Sequence, residues 1–322
     1  MKLSELPIPN LQRSVPLANY TTMRVGGPAD ALVIAETSEE LAGIVTVLWK
    51  TEMPFIILGG GSNVLVSDAG IRGVVVINRG RPGEGYRFEE TGTPEAEFPS
   101  VLAETGVNFS ALARQAAQRG FGGLEWAAGI PGTVGGAVIG NAGAHGGDMA
   151  GSLVVAEILH HIQGRTLWPV ERMEYRYRGS ALKGKVELKP VLKPASQPQA
   201  IVLAARLRLA RSTREAAQAK LAAIAEKRRR DQPPGSSMGS MFRNPPGDYA
   251  GRLIEAAGLK GACIGGAEIS SRHANFFINT GNATAADIRA LILLAQKTVA
   301  EQFGVRLELE IELVGDFMDR SS

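Results

Sequence analysis

The chain has 322 residues, 44% of them hydrophobic, which is enough to bury a substantial core and to form two or three domains. Lys and Arg number 35 against 32 Asp and Glu, so the formal net charge is only +3. Because so balanced a chain lacks the charge of a nucleic-acid-binding protein, we expect no nucleic-acid partner.

Cysteine, histidine and apolar patterns exclude further classes. Cys263 is the single cysteine and cannot form an internal disulfide, and the four histidines lack zinc-site spacing, so no metal is expected. The first residues lack the apolar core of a signal peptide, and no apolar run approaches the roughly 18 residues that span a bilayer. We therefore predict a cytoplasmic protein with no membrane partner.

The first part of the chain predicts a β-α-β opening. Residues 1 to about 18 are rich in proline and are expected to wrap the surface. A strand is predicted at 32–35, and Thr37-x-x-Glu40 is a capping box for a helix that ends near Pro54. Short apolar runs then predict strands at 55–58, 64–66 and 74–77.

Three glycines, a serine and an asparagine, residues 59–63, separate two of these strands. Glycine can adopt positive φ and let backbone N–H groups approach a phosphate, although a tight turn between strands is the simpler alternative. No Gly-Lys-Ser/Thr follows, and the spacing fails the Rossmann pattern at Val64, so both familiar phosphate loops are excluded. If residues 59–65 bind a dinucleotide, they do so between strands.

A second glycine-rich stretch follows a helix predicted at 108–119. It covers 122–137 and 141–147, and its glycine density disfavours regular helices and strands. A mobile linker is one interpretation. The interleaved Leu124, Trp126 and Ile130 favour an ordered backbone instead, packed closely against a flat cofactor.

The second half of the chain changes character after strands predicted at 153–162 and 201–209. Ser212-x-x-Glu215 predicts the start of an Ala-rich helix that ends in the basic run 227–230, and we place a domain boundary here. Another helix is expected from about Gly247. Thr284-x-x-Asp287 caps a final helix, and a final strand at 306–314 alternates apolar and acidic residues.

Several segments carry side chains suited to chemistry, each with a simpler alternative. Ser240 lies in a loop at 238–246, where it either reacts or merely stabilises the turn. Residues 175–180 interleave aromatic and guanidinium groups, which suits an anionic ring-bearing ligand but also a surface strand. The basic run 227–230 suits the C-terminal end of a helix, where the macrodipole favours positive side chains, or a phosphate site.

Three glutamates of the last predicted strand face the same way: Glu308, Glu310 and Glu312. By default they form a solvated sheet face. The alternation alone does not distinguish among them.

Taken together and in order, these segments resemble the UDP-N-acetylenolpyruvoylglucosamine reductase family, from about Asn19 to Gly315. Each motif is weak alone, but their ordered coincidence is specific. The resemblance rests on seven segments: 19–27 (Asn-Tyr-Thr-Thr-Met-Arg-Val-Gly-Gly), 58–63 (Leu-Gly-Gly-Gly-Ser-Asn), 129–137 (Gly-Ile-Pro-Gly-Thr-Val-Gly-Gly-Ala), 141–144 (Asn-Ala-Gly-Ala), 177–180 (Tyr-Arg-Gly-Ser), 239–245 (Gly-Ser-Met-Phe-Arg-Asn-Pro) and 273–276 (His-Ala-Asn-Phe).

The resemblance implies an α+β fold: an FAD-binding region of the vanillyl-alcohol-oxidase type and a smaller α+β substrate-binding domain. The FAD-binding region would cover 1–210 in two subdomains with a boundary near 75–80, and 306–318 would return to it. The substrate-binding domain would cover 211–305. A monomer is expected.

By the same resemblance, non-covalent FAD lies with its pyrophosphate on 59–65 and its ring system near 127–141, and NADPH is the co-substrate. Residues expected to bind the cofactor are Arg24, Gly59, Gly60, Gly61, Ser62, Asn63, Val64, Gly129, Pro131, Gly132, Gly135, Gly136, Ala137, Asn141, Ala142 and Gly143. Residues expected to bind the UDP-sugar enolpyruvyl ether are Tyr177, Arg178, Gln232 and Asn244.

The family's catalytic residues match three positions of this chain. In the implied reaction, the reduced flavin passes hydride to C3 of the enolpyruvyl group. Arg178 would stabilise the enolate through its carboxylate, Ser240 would protonate C2, and Glu310 would assist, either protonated or paired with Arg178. Glu310 is preferred over its two neighbours because it precedes Gly315 by five residues, as the family's glutamate does.

The chain departs from the family in two respects, and two other functions compete. Some members cover the substrate with a tyrosine from an extra loop, yet no tyrosine occurs between Tyr177 and Tyr249. Arg243 stands where lysine is common, which keeps the charge but changes the hydrogen-bond geometry. The competing functions are another flavin oxidase or dehydrogenase of this fold and a basic binding protein for nucleotides or nucleic acid.

Overall fold

The computed structural model describes residues 2–90, 98–183 and 198–317. It is an α+β structure whose seven α-helices are α1 Ser38–Lys50, α2 Phe109–Gln118, α3 Val134–Gly140, α4 Met149–Ser152, α5 Arg214–Asp231, α6 Ala250–Ala256 and α7 Ala285–Phe303. Short 3-10 helices occupy Leu3–Glu5, Leu17–Tyr20, Glu125–Ala127 and Val170–Met173. None of the described helices combines the length and apolar character that a membrane crossing requires.

The strands form two larger sheets and several short pairings. Their bounds are β1 Gln12–Pro16, β2 Pro28–Ala35, β3 Phe55–Leu58, β4 Val64–Val66, β5 Ile71–Asn78, β6 Tyr86–Glu89, β7 Ser100–Glu104, β8 Phe121–Gly122, β9 Gly143–Ala144, β10 Gly147–Asp148, β11 Leu153–His160, β12 Gly164–Pro169, β13 Ala200–Arg208, β14 Ala210–Arg211, β15 Cys263–Ile264, β16 Ala267–Ile269, β17 Phe277–Asn279 and β18 Glu312–Val314.

The first sheet has the strand order β1-β2-β5-β3. Strand β5 pairs in parallel with β2 and with β3, and α1 connects β2 to β3, so the predicted β-α-β opening is confirmed. The N-terminal segment was expected to wrap the surface; within it, β1 is largely exposed and pairs antiparallel with β2 at the edge of the sheet. Two apolar residues before it, Leu6 and Ile8, are buried and explain why the segment is held.

The second sheet is antiparallel with the order β12-β11-β13-β7-β6; α3 packs on it, and α2 contributes to the same core. The chain enters it after Asn78, the last residue of β5. Phe109, Leu112, Trp126 and Val138 are buried in the core that these elements share. The second glycine-rich segment is therefore ordered backbone over an apolar core, as its interleaved hydrophobic residues predicted.

Helix α3 contradicts the expectation that glycine density prevents regular structure. Its Gly135 lies so close to the strand region that a Cβ would be 1.8 Å from Thr105 Oγ1. The burial of Val134 and Val138 against the sheet offsets the helix propensity lost at the glycines. Close packing, rather than flexibility, explains this glycine.

A third core belongs to the last part of the chain. Helices α6 and α7 pack with the small sheet β15-β16-β17 around Phe242 and Phe277. Met23 and Leu65 from the first part of the chain contribute to the same core. The carboxylate of Asp68 also accepts hydrogen bonds from the first two backbone N–H groups of α7, which ties this helix to the loop after β4.

Helix starts are predicted within a few residues. Thr37 and Thr284 cap α1 and α7 as expected, and Asn108, where the second helix was predicted to begin, caps α2. Helix α5 is capped by Thr213 rather than Ser212, because the Thr213 hydroxyl accepts the hydrogen bond from Ala216 N. Helix α6 begins three residues after Gly247, at the point where Asn244 Oδ1 accepts from Ala250 N.

The last segment returns to the first part of the chain. Strand β18 pairs in parallel with β4, in the register Glu312 to Val64. The prediction of a long alternating strand over 306–314 was wrong in length. Residues 306–311 do not belong to β18, and their strand-like pairing is limited to an isolated bridge between Leu309 and Phe242. Leu313 is exposed. Residue 318, the end of the predicted return, lies outside the described residues.

Candidate active site

A cleft lies where the glycine-rich segments meet the last part of the chain. The main groups that line it are Ser62, Asn63, Phe109, Ile130, Pro131, Gly132, Gly136, Ala137, Gly140, Ala142, Gly143, Arg178, Lys183, Arg228, Gln232, Ser240 and Glu310. Segments more than 200 residues apart in the chain thus converge on one surface.

The two glycine-rich segments touch each other along the wall of the cleft. A Cβ on Gly60 would lie 2.9 Å from Gly132 Cα, and a Cβ on Gly59 would lie 2.5 Å from Thr133 Oγ1. Ser62 Oγ donates a hydrogen bond to Pro131 O at 3.2 Å. Because larger side chains would separate these backbones, the first loop needs its glycines for close approach.

The same wall fits the FAD that the sequence predicts. A Cβ on Gly140 would meet no atom within 4 Å, and one on Gly136 would approach only Thr133 Oγ1, at 3.9 Å. These glycines therefore leave space in the cleft instead of filling it. Together with Ile130 and Ala137, which also line the cleft, they offer open space and apolar surface that suit a ring system.

The structure brings together many, but not all, of the predicted site residues. Those at the cleft are Ser62, Asn63, Pro131, Gly132, Gly136, Ala137, Ala142, Gly143, Arg178, Gln232, Ser240 and Glu310. Those that do not line it are Arg24, Gly59, Gly60, Gly61, Val64, Gly129, Gly135, Asn141, Tyr177 and Asn244.

Several residues outside the cleft have other contacts. Asn141 lies behind it and fixes the neighbouring backbone, since Nδ2 donates to Arg176 O at 3.1 Å and Oδ1 accepts from Ala150 N at 3.0 Å. Asn244 lines a second pocket that shares Ser240 with the cleft and also contains Arg252 and Arg272. Arg24 is exposed.

Arg178 occupies a strained turn at the cleft. Arg176 and Gly179 exchange two backbone hydrogen bonds of 3.0 Å, and between them Arg178 adopts φ 55°, a conformation that favours glycine or asparagine. Its Nη1 donates to Gly143 O at 3.0 Å, and its Nε lies 2.7 Å from Glu310 Oε1 without a well-aligned N–H. Strain of this kind concentrates at functional positions.

Glu310 differs from the two glutamates beside it. Its side chain is 16% exposed, against 67% for Glu308 and 41% for Glu312. Its backbone is fixed on both sides, because Glu310 N donates to Met241 O and Asn63 Nδ2 donates to Glu310 O. The alternating pattern could not make this distinction, whereas burial selects Glu310.

The charge state of Glu310 reflects two opposing effects. Burial raises the pKa of its carboxyl group, since desolvation penalises the charged form. Arg178, Arg243 and Lys183 oppose this and lower the pKa, but the net direction is upward. The cleft thus contains a carboxyl group that is held close to a guanidinium and is easier to protonate than an exposed one.

Ser240 is held by the motif at 273–276. Asn275 binds the loop on both sides of Met241, since its carbonyl accepts from Met241 N at 2.7 Å and its side chain exchanges hydrogen bonds with Phe242 N and O. Ser240 itself bridges to Phe276 and is half-buried. Its hydroxyl makes no hydrogen bond to any part of the chain that the structure describes, so it remains available to a ligand.

Of the basic residues of the cleft, Lys183 was not selected from the sequence, and Arg228 was named only as a member of the run 227–230. Lys183 follows Arg178 by five residues, is 10% exposed and lies 3.0 Å from Glu312 Oε1. Arg228 is one of four consecutive basic residues, and only the helical spacing from buried Ala217 could have indicated which one faces inward. In the described residues, no three His, Cys, Asp or Glu side chains cluster as a metal site would require.

Comparison with known proteins agrees with this geometry. Residues 231–314 match the C-terminal domain of UDP-N-acetylenolpyruvoylglucosamine reductase, and residues 29–159 match an FAD binding domain. Together these matches confirm the α+β fold class predicted from the sequence in its main division: an FAD-binding region and a second, smaller domain.

The relatives that match along nearly the whole chain share the same name. A UDP-N-acetylenolpyruvoylglucosamine reductase from Chloroflexus aggregans is 44% identical over 310 residues, 96% of this chain and 99% of that protein. The Bacillus subtilis protein of the same name is 40% identical over 98% of this chain and 97% of its own length. A crystal structure of the Thermus caldophilus reductase is 35% identical, with a TM-score of 0.74 over 95% of this chain and 99% of that one. The chain therefore belongs to the UDP-N-acetylenolpyruvoylglucosamine reductase family, whose members are FAD-dependent oxidoreductases.

Proposed function

We propose that this chain reduces UDP-N-acetylenolpyruvoylglucosamine to UDP-N-acetylmuramate, a peptidoglycan precursor, with NADPH as electron donor. The observation that carries the proposal is the convergence of Arg178, Ser240 and Glu310 on the cleft lined by the glycine-rich wall. FAD bound there without a covalent bond supplies the hydride chemistry that connects NADPH to the enolpyruvyl double bond. The chain's own residues supply binding, charge stabilisation and a proton.

Arg178 is proposed to bind the enolpyruvyl carboxylate. A guanidinium presents paired N–H donors that match a carboxylate, and its charge stabilises the enolate more than the ground state. The contact with Gly143 O and the strained turn fix where this charge lies. Arg178 therefore contributes most when negative charge accumulates at C2 and the carboxylate.

Ser240 is proposed to protonate C2. An anionic C2 is a strong base, so even a neutral hydroxyl is acidic enough if it is placed correctly. The backbone of this loop is fixed by Asn275, while the hydroxyl has no partner among the described residues. The structure thus offers a proton donor on a rigid loop.

Glu310 is proposed to act through its contact with Arg178, either as an ion pair or as a protonated hydrogen-bond donor. An ionised carboxylate beside a growing anion would raise the barrier unless Arg178 neutralises it. The 2.7 Å contact supports pairing, and the raised pKa of Glu310 favours the protonated form. In both forms the negative charge of Glu310 is absent or neutralised, so Glu310 does not destabilise the enolate.

For Glu310→Gln we expect a pH–rate profile that separates the two forms. If Glu310 acts while protonated, wild-type activity falls as pH rises through its raised pKa, and the neutral amide removes that fall. If it acts as an ion pair, wild-type activity falls as pH drops through that pKa, whereas the variant is slow at every pH and lacks this fall. Unchanged activity together with an unchanged profile would remove Glu310 from the mechanism.

Stability provides an independent readout for the same variant. Because the pKa of Glu310 is higher in the folded state than in the unfolded chain, its stabilising contribution is complete below the unfolded value and is lost as pH rises through the folded one. Glu310→Gln should therefore gain unfolding free energy relative to wild type as pH rises. Glu308→Gln, at an exposed position, is the matched control.

The remaining substrate contacts are proposed from position. Gln232 lines the cleft, and Asn244 lines the adjoining pocket together with Arg252 and Arg272, so we assign the UDP part of the substrate to this side of Ser240. Tyr177 is 58% exposed at the turn of Arg178 and is proposed to contact the substrate from outside the cleft. The FAD-binding region, in this proposal, is 1–210 with the returning last strand, and 211–305 binds substrate.

Steady-state turnover tests the proposal. NADPH oxidation should require UDP-N-acetylenolpyruvoylglucosamine and should not be supported by UDP-N-acetylglucosamine, which lacks the double bond. Activity with an unrelated alcohol and none with the enolpyruvyl ether would favour another flavin enzyme of this fold, and a colourless protein retained on DNA would favour a nucleic-acid binder.

Acid precipitation that leaves the pellet colourless checks the non-covalent flavin. The proposed cytoplasmic, monomeric state is checked by cell fractionation and light scattering.

A further inference from the structure

Four consecutive basic residues end helix α5, and one of them has different surroundings. Lys227, Arg229 and Arg230 are exposed, whereas Arg228 is half-buried and lines the cleft. The helical repeat explains the difference, because position 228 lies on the same face as the buried Ala217. The run as a whole suits the negative end of the helix dipole, but that effect does not require burial of any member.

The arginines of this run also differ in their partners. Arg229 pairs with Glu226, and Arg230 Nε lies 3.0 Å from Asp231 Oδ1. Within the described ranges 2–90, 98–183 and 198–317, the guanidinium of Arg228 makes neither an ion pair nor a hydrogen bond. Burial lowers the pKa of Arg228, and no acidic neighbour offsets that effect. A half-buried cation without a counter-charge is unfavourable unless a ligand supplies one.

The position of Arg228 indicates which part of the cleft it faces. Its side chain lies against Gly129, where a Cβ would be only 2.8 Å from Arg228 Nε, so this glycine leaves room for the arginine. Gly129 begins the segment that continues through Pro131 and Gly132 along the cleft. By contrast, two other cations of the cleft, Arg178 and Lys183, already have carboxylate partners.

We infer that Arg228 binds a phosphate group of a nucleotide that lies in the cleft. The planar guanidinium matches two phosphate oxygens, and a partly desolvated site strengthens the contact. Three nucleotides carry the required diphosphate: FAD, NADPH and the UDP-sugar. NADPH and the UDP-sugar are candidates only if the proposed function holds, whereas FAD is a candidate because the chain matches an FAD binding domain.

Three binding measurements on the holoenzyme identify the source of the phosphate. FAD release on dilution is followed by flavin fluorescence, NADPH affinity by the concentration dependence of anaerobic flavin bleaching, and substrate affinity by the change in oxidised flavin absorbance. Arg228→Met keeps the length of the side chain and removes the charge. We expect it to weaken one of the three nucleotides by about 10- to 100-fold, the range of a charge-assisted hydrogen bond.

Two further variants separate phosphate binding from a structural effect. Arg230→Met removes a charge from the same helical turn at an exposed, paired position and should leave all three affinities within about twofold of wild type. Arg228→Lys keeps the charge but loses the fork geometry, so it should recover part of the loss. If Arg228→Met does not fold, Arg228→Lys alone decides, with a loss of several-fold expected for one nucleotide.

Wild-type affinity for all three nucleotides in a folded Arg228→Met or Arg228→Lys protein would overturn the inference. An equal loss for all three accompanied by a lower Tm would also overturn it, since it would indicate a structural role. Because the FAD measurement needs no turnover, failure of the wild type to reduce the enolpyruvyl substrate would refute the proposed function without deciding the role of Arg228.

Discussion

Ser240→Ala should separate the two halves of the catalytic cycle. We expect bleaching of the flavin by NADPH to proceed at the wild-type rate, because the hydroxyl has no part in that step. Reoxidation by the enolpyruvyl substrate should slow by about 10² to 10⁴, the usual contribution of a positioned proton donor. Stopped-flow absorbance measures both half-reactions on the same preparation.

The control for this prediction lies in the same loop. Ser237→Ala removes a hydroxyl three residues away that does not line the cleft, and it should leave both half-reactions unchanged. Equal slowing of reduction and reoxidation in Ser240→Ala would contradict the proposed role, since it would indicate that the loop positions the flavin.

Replacing Arg178 should give the second large effect. Arg178→Met removes the charge that stabilises the enolate and should lower the rate of substrate reduction by about 10² to 10³, as loss of an oxyanion-stabilising donor does. It also leaves Glu310 buried without its partner, so the pKa of Glu310 should rise further. Single-turnover reoxidation measures the rate, and the pH–rate profile measures the shift.

The strained turn provides a second variant at the same position. Arg178→Gly should lose as much activity as Arg178→Met, yet its unfolding free energy should exceed that of the Met variant by about 1 kcal/mol, because glycine adopts the positive φ without cost. Arg176→Met, exposed in the same turn, is the control. Nearly normal reoxidation in Arg178→Met would show that this charge does not act on the enolate.

Local signals predicted much of the fold. The capping residues Thr37, Asn108 and Thr284 fixed three helix starts, since a side-chain acceptor for the first free N–H groups is a local requirement. Helix α3 was missed because its Gly135 is required by a close contact with Thr105, which precedes it by 30 residues. The short β18 was overestimated because alternation does not show where a pairing partner ends.

Some residues of the site could likewise be predicted from the sequence, whereas others could be recognised only in the folded structure. Ordered motifs indicated Arg178 and Ser240, and the resemblance selected Glu310, but only the folded chain shows that Glu310 is the buried member of its three glutamates. Lys183 was not selected, and Arg228 was not singled out from the run 227–230, because their place at the cleft depends on tertiary packing. Sequence patterns identify residue types, whereas burial and partners identify roles.

Anaerobic titration tests the central claim most directly. The purified protein should carry FAD, lose its flavin absorbance on addition of NADPH, and regain it on addition of one equivalent of UDP-N-acetylenolpyruvoylglucosamine. Recovery of colour without oxygen would show that the enolpyruvyl group accepts the electrons. Flavin that stays bleached after this addition, or a protein that takes up no FAD when it is supplied in excess, would contradict the account.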